Sequence, residues 1–252
     1  MLRSSYSALL LLVIAFTASA QQPPKEKKET RYEMKANHDP NGIGKFYMGR
    51  EIAHVMSHFG ASWLERTERE KEEEPAKLHG MLKLQSGMVV VDMGAGSGYH
   101  SFRMAPLVGE KGKVIAVDIQ KEMLDIITKR MKKDGVKNIE TVLGTVNDPK
   151  LKDSSVDMIL MVDVYHEFGE PYEMTEKMIK SLKPGGRLVF VEFRLEDKDV
   201  PILLVHKMSE RQVVKEMEVF KELKHVETLK ELPWQHVIIF KKVEEKKETK
   251  NP

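Results

Sequence analysis

The chain has 252 residues, with 41 Lys+Arg against 39 Asp+Glu and no cysteine. A net charge of +2, or +1 once a leader carrying Arg3 is removed, gives no field suited to nucleic acid or an anionic membrane. The missing thiols exclude disulfides, thiolate zinc sites, a lipidated cysteine and a cysteine nucleophile. The length suits one α/β domain with appendages. Residues 1–20 have the form of a secretion signal: Arg3 at the start, an apolar core over 8–16, and Ala18-Ser19-Ala20 as a small-x-small cleavage site. The apolar run falls short of the roughly 20 residues of a membrane span. Cleavage after Ala20, no stable membrane span and export to the periplasm or beyond are therefore expected. Residues 21–30 are rich in Pro, Lys and Glu and read as a linker.

Residues 31–84 read as a helical extension that could act as a lid. Ile52, Val55, Met56 and Phe59 recur at helical spacing, which predicts an amphipathic helix over 48–59 ended by Gly60. Glu51, His54 and His58 would share one face of it. Two histidines one turn apart can bind zinc, but no third ligand is identifiable, so no metal site is assigned. The plainer reading is a face packed on the domain. Arg50, His54 and His58, with Tyr47 and Trp63 nearby and His206 from further along the chain, are the candidates for a polar, partly aromatic acceptor pocket. Trp63 through Glu74 becomes heavily charged and reads as a solvated helix with i,i+4 pairs, interrupted by Pro75.

Residues 85–242 alternate in character. Val89-Val90-Val91 reads as a short buried strand, followed by Asp92, then Gly94, Ala95, Gly96 and Gly98, with a helix from Tyr99. Such glycines let the backbone take positive φ and admit a ligand close to the chain, where free N–H groups of the helix start face it. The spacing is G-x-G-x-G; the dinucleotide fingerprint would need a glycine at Tyr99. A second strand, 113–118, ends in Asp118 about 20 residues on, where an acid can accept from both ribose hydroxyls. A helix over 120–133 carries Met123, Leu124, Ile127 and Met131 as its buried stripe, with Gly135 past its end. Strands are expected over 139–143 and 157–164, the latter running into Asp163, Tyr165, His166 and Glu167. Polar groups at that end of a parallel strand point into the ligand crevice. A helix over 171–182, a strand over 188–193, and a helix capped by Ser209 with Gln212 three residues on follow. Strands over 224–229 and 237–240, joined through Leu232-Pro233-Trp234, are close enough to be antiparallel. The tail 243–252 is charged.

This order gives an α/β, doubly wound, mostly parallel seven-stranded sheet with a closing antiparallel hairpin. Over roughly 78–242 the chain resembles the class I S-adenosylmethionine-dependent methyltransferases. Residues 90–98 resemble their first motif, residues 114–118 their second, and Leu182-Lys183-Pro184-Gly185-Gly186-Arg187-Leu188 a further motif frequent among them. Tyr99 and the closing hairpin speak against a nicotinamide-dependent oxidoreductase.

The resemblance implies S-adenosylmethionine as cofactor. Gly94, Ala95, Gly96 and Gly98 would let its methionine part pass over the turn, and Asp92 would orient that loop and, through water, the amino group. Asp118 would hold the ribose, Ile119 would lie against the adenine, and Thr145-Val146 would meet the adenine edge. Many relatives carry an acid where this chain has Thr145, so Asn147 or Asp148 becomes the substitute. Residues 163–166 would sit below the sulfonium, with His166 as the base for a protonated acceptor and Tyr165 and Glu167 behind it. A small-molecule acceptor is implied. The alternative is an exported, non-catalytic nucleoside-binding module on the same scaffold.

Overall fold

The computed structural model describes residues 31–243. The expected secretion signal and linker, and the tail from 244, lie outside the described residues. No described helix is long and apolar enough to cross a membrane.

The first elements depart from expectation. Strands β1 (Tyr32–Met34), β2 (Gly42–Tyr47) and β3 (Arg50–Ala53) form an antiparallel sheet in that order. The helix expected over 48–59 is not there. Tyr47 pairs with Arg50 across Met48 and Gly49, whose φ values are 49° and 96°. Positive φ at both central residues is what a tight two-residue hairpin of type I′ requires, and it turns the chain back before a helix can start. Ile52 and Ala53 are buried as consecutive strand residues, whereas Phe59 is 85% exposed, so the helical spacing was not a buried stripe. His58–Gly60 is a single 3₁₀ turn capped by Ser57.

Three short helices follow: α1 (Ala61–Leu64), α2 (Arg69–Glu72) and α3 (Pro75–Met81). The charged run is not all solvated. Arg69 and Glu73 are buried and paired at 2.7 Å, with Arg69 also 3.2 Å from His100. The extension is thus a small sheet followed by helical turns.

The main sheet follows the expected order. It is built from β4 (Val89–Met93), α4 (Tyr99–Val108), β5 (Lys113–Asp118), α5 (Lys121–Asp134), β6 (Ile139–Leu143), β7 (Val156–Val162), α6 (Pro171–Ser181), β8 (Leu182–Phe193), α7 (Glu210–Met217), β9 (Leu223–Leu229) and β10 (Gln235–Lys242). Its strand order is β6-β5-β4-β7-β8-β10-β9, with β10 antiparallel to both neighbours. Val90 packs into one apolar layer with Leu78, Met104, Val108 and Ile127; Val91 and Met93 pack into another with Met174, Met178 and Met217. A strand buried on both faces reads as continuous β-branched sequence for this reason. The chain reverses direction of winding between β4 and β7, and the crevice beyond their carboxyl ends is where such sheets bind ligands. Ser209 caps α7 by accepting from the Gln212 N–H at 3.1 Å. The Gln212 side chain does not reach back to complete a capping box but turns to Glu216.

Candidate active site

The turn after β4 is shaped by close approaches. Gly94 has φ 69°, and a Cβ there would stand 2.3 Å from Val164 Cγ2; Gly96 has φ 54°, and a Cβ would stand 2.6 Å from Leu64 Cδ1. Neither position has room for a side chain, and both backbones prefer glycine. At the end of β5, Asp118 Oδ2 accepts the Gly96 N–H at 2.9 Å and Oδ1 accepts the Gln120 N–H at 2.8 Å. Each oxygen keeps a second acceptor direction for a ribose hydroxyl. Burial raises the Asp118 carboxyl above its ordinary range. Asp92 lies beneath the loop, accepting from Ser101 Oγ at 2.6 Å. Burial pushes its carboxyl up to about 6. It therefore orients the loop, by fixing the first turn of α4, and has no place in the pocket wall.

A cavity of about 360 Å3 opens at this point. Gly94, Gly96, Asp118, Ile119, Thr145, Val146 and Asp163 line it, as expected of a cofactor seat. Ala95 and Gly98 do not; they shape the turn behind it. Asn147 and Asp148 are also outside the wall. Asn147 donates to Glu170 at 2.8 Å and Asp148 is engaged by Lys150, so neither replaces the acid missing at Thr145.

Asp163 stands out chemically. Its φ is 49°, its Oδ2 accepts from Gln235 Nε2 at 2.6 Å, and its buried Oδ1 has no partner. Burial, then the carboxylates of Glu73 and Glu192, push it well above the usual range. A buried acceptor without a partner among the described residues, on a side chain that lines the cavity, is where a bound donor would be satisfied.

The other end of the cavity holds His166 and Glu167. Glu192, a carboxylate inside the apolar strand β8, accepts the Tyr165 N–H at 3.0 Å and faces His166 Nδ1 at 2.7 Å. A carboxylate accepts only, so Nδ1 carries a proton, and in the neutral ring Nε2 then carries the lone pair. That Nε2 lies 3.1 Å from His206 Nδ1 and 4.0 Å from Glu167 Oε1. Glu167 also accepts the Met56 N–H at 3.2 Å, and burial pushes it up to about 7. Burial works against the charged form of His166, but Glu192 outweighs it and raises the pKa. Burial, then His166, pushes His206 down to about 4.

Tyr165 is corrected from catalytic candidate to scaffold. It points away from the cavity, fully buried, with its hydroxyl donating to Glu216 at 2.8 Å. Arg50 is corrected likewise. It is enclosed, bonded to both Glu216 oxygens at 2.8 and 3.1 Å and to the His166 carbonyl at 3.0 Å. It props the 165–167 turn from behind. His54 is exposed, and His58 stacks on Phe59; neither lines the cavity. The wall on this side is instead made by Ile43, Val55, Met56, Trp63, Phe168 and Phe193, more apolar than the sequence suggested. Gln120 ties that wall to the cofactor seat, donating to Met56 O at 2.9 Å and accepting the His58 N–H at 2.8 Å.

Glu192, Glu216 and Gln235 escaped the sequence reading, and His206, expected on the acceptor side, was not expected to meet His166. Of these, Glu192 left a signal, as the single charge within the apolar run 188–193. The donors and acceptors present fit a nucleoside carrying a cationic amino-acid tail: a paired carboxylate at the ribose position, a glycine turn without Cβ atoms, and the open Asp163 oxygen for an ammonium group.

Known proteins point the same way. A family model described as a methyltransferase domain matches residues 84–250. Among curated proteins, a demethylmenaquinone methyltransferase of Lactococcus lactis is 27% identical over 59% of this chain and 57% of its own length. A ubiquinone/menaquinone biosynthesis C-methyltransferase of Vibrio vulnificus is 32% identical over 42% of each chain. An arsenite methyltransferase of Halobacterium salinarum is 31% identical over 40% of this chain and 26% of its own. The chain thus spans about half the length of these relatives, or less. Among solved structures, a SAM-dependent methyltransferase from Aquifex aeolicus superposes with a TM-score of 0.70 at 27% identity, covering 75% of this chain and all of that one.

Proposed function

The chain belongs to the methyltransferase-domain family, with S-adenosylmethionine as its cofactor, and on that premise we propose that it methylates a small, largely apolar aromatic acceptor bearing an ionisable hydroxyl, of hydroquinone type. The observation that carries the reading is one continuous cavity. Its wall brings together Asp118, Asp163, a set of apolar side chains and His166, held by Glu192.

S-adenosylmethionine, when bound, supplies a methyl group on a cationic sulfur that leaves without acid assistance. Asp118 would hold its ribose hydroxyls and Asp163 would accept from its α-ammonium group, while Gly94 and Gly96 would leave room for it against the main chain. Val55, Met56, Trp63 and Phe168 exclude water and orient a flat apolar ring for in-line attack. The His166 Nε2 lone pair receives the acceptor's hydroxyl proton, its ring fixed by Glu192. The names of the quinone-biosynthesis relatives favour an acceptor of this class. An arsenite-type acceptor is disfavoured, because the chain has no cysteine to offer a thiophilic atom. The secretion-signal form of residues 1–20 supports an exported enzyme.

The test is calorimetric titration of S-adenosylmethionine and S-adenosylhomocysteine into the chain from Gln21, beside Asp118→Ala. Micromolar binding is expected, weakened about 100-fold in the variant by loss of charge-assisted ribose contacts. A screen of phenols and hydroquinones with labelled cofactor follows. Absence of cofactor binding by the unaltered protein would end the methyltransferase reading. Labelling confined to apolar-poor, polar acceptors would overturn the acceptor class.

A further inference from the structure

His166, Glu167 and His206 come from two segments forty residues apart in sequence, yet their facing atoms converge. His166 Nε2 and His206 Nδ1 are 3.1 Å apart, and Glu167 Oε1 is 4.0 and 3.9 Å from them. Three atoms so spaced share one point about 2.1 Å from each, the bond length of zinc to imidazole nitrogen and carboxylate oxygen. We propose that this triad is a divalent first-row metal site at the acceptor end of the cavity.

Three observations support it besides the spacing. The donors are two imidazoles and a carboxylate, a set suited to zinc, iron(II) or manganese(II) rather than to the all-oxygen shells of magnesium and calcium. Glu192 sits behind His166 on its other nitrogen at 2.7 Å, the carboxylate–histidine arrangement that fixes the tautomer and the ring of a ligating histidine. The two imidazole planes stand at 88°, with the ring nitrogens facing each other. Three protein ligands leave coordination positions open, and His166 and Glu167 both line the cavity, so an acceptor oxygen can reach the ion. Coordination there would lower the pKa of that oxygen's proton. The inference rests on the acceptor pocket assigned above and deepens it. A given molecule uses the His166 Nε2 lone pair either for a proton or for the ion, and metal content decides which.

The experiment uses tag-free chain from Gln21, stripped with chelator and dialysed. Zinc chloride is titrated calorimetrically, and cobalt(II) chloride is followed by its visible ligand-field absorption. One equivalent is expected, at micromolar affinity or tighter, with the cobalt spectrum of a four- or five-coordinate nitrogen–oxygen site. His206→Ala, a partly exposed residue whose loss spares the core, should weaken zinc about 100-fold or more; His54→Ala should leave it unchanged. No stoichiometric binding, or equal binding by the His206 variant, overturns the site. S-adenosylmethionine titrated into the same metal-free samples keeps the claims apart. Cofactor binding without zinc binding refutes the metal site alone, and zinc binding without cofactor binding refutes the functional reading alone.

Discussion

Replacing Gly94 by alanine tests how tightly the cofactor turn is locked to the acceptor loop. The residue has φ 69°, where an L side chain costs on the order of 1–2 kcal/mol. The added Cβ would lie 2.3 Å from Cγ2 and 3.0 Å from Cβ of Val164. Val164 is β-branched and stiff at χ1, so it cannot swing aside as a long side chain could. Forcing a methyl into such a contact costs about 1–3 kcal/mol through backbone shift. A loss of about 3 kcal/mol in unfolding free energy is expected. The shift falls on the stretch carrying Asp163 and His166, so cofactor affinity should drop with it. Urea unfolding and calorimetry of Gly94→Ala, Val164→Ala and the double variant form a cycle. Truncating Val164 should restore at least about 1 kcal/mol to the glycine variant. A cost below about 1 kcal/mol with unchanged cofactor affinity, or no coupling to Val164, would refute the reasoning.

Burial pushes His79 down to about 4 and His100 well below its ordinary range, so both stay neutral in the folded protein at acid pH while the unfolded chain takes up protons below about 6.5. Stability is therefore full above that value and lost as pH falls toward the folded pKa, by about 3 kcal/mol for His79 alone, and urea midpoints across that window should show the fall. Burial holds the Asp163 carboxyl well above its ordinary range, so binding of an ammonium group beside it should drive its proton off to solvent. S-adenosylmethionine affinity should then rise with pH, with proton release measured in buffers of different ionisation enthalpy; Asp163→Asn should flatten the slope. Glu216→Gln leaves the enclosed Arg50 guanidinium without its counter-charge and should cost about 3 kcal/mol in urea unfolding. An unchanged midpoint would show that the pair is dispensable.

The main sheet was legible because its strands obey a simple rule. A chain buried on both faces must be apolar throughout, and 89–91 and 158–162 are. Asp118 and the glycine turn were legible because their geometry demands those residue types. The N-terminal sheet was not. Its hairpin uses Met48 where the strong signal would be Asn or Asp before glycine, and Ile52, Val55, Met56 and Phe59 happen to match a helix. Arg69 and Glu73 form the i,i+4 pair expected of a solvated helix; only the tertiary placement of His100 beside them reveals the burial. His206 comes from the 194–208 segment, which carries no periodicity, and its partner lies forty residues away. His54 and His58 lie off the cavity because the helix on which their shared face depended does not form, and Arg50 because it is spent on Glu216 and the His166 carbonyl.

Gln120 deserves a kinetic reading. Its backbone N–H is fixed by Asp118 Oδ1, while its amide side chain grips Met56 and His58 on both sides of Ser57. The seat of one substrate and the wall of the other are thereby a single hydrogen-bonded piece of main chain. Such a joint predicts ordered addition, cofactor first: a ribose on Asp118 would stiffen Gln120 and, through it, the 56–58 strap before the second reactant binds. Initial-rate patterns would carry that signature as competitive product inhibition against the cofactor and mixed inhibition against the acceptor. An acceptor's apparent KM would then depend on the sugar of the methyl donor, which it never touches.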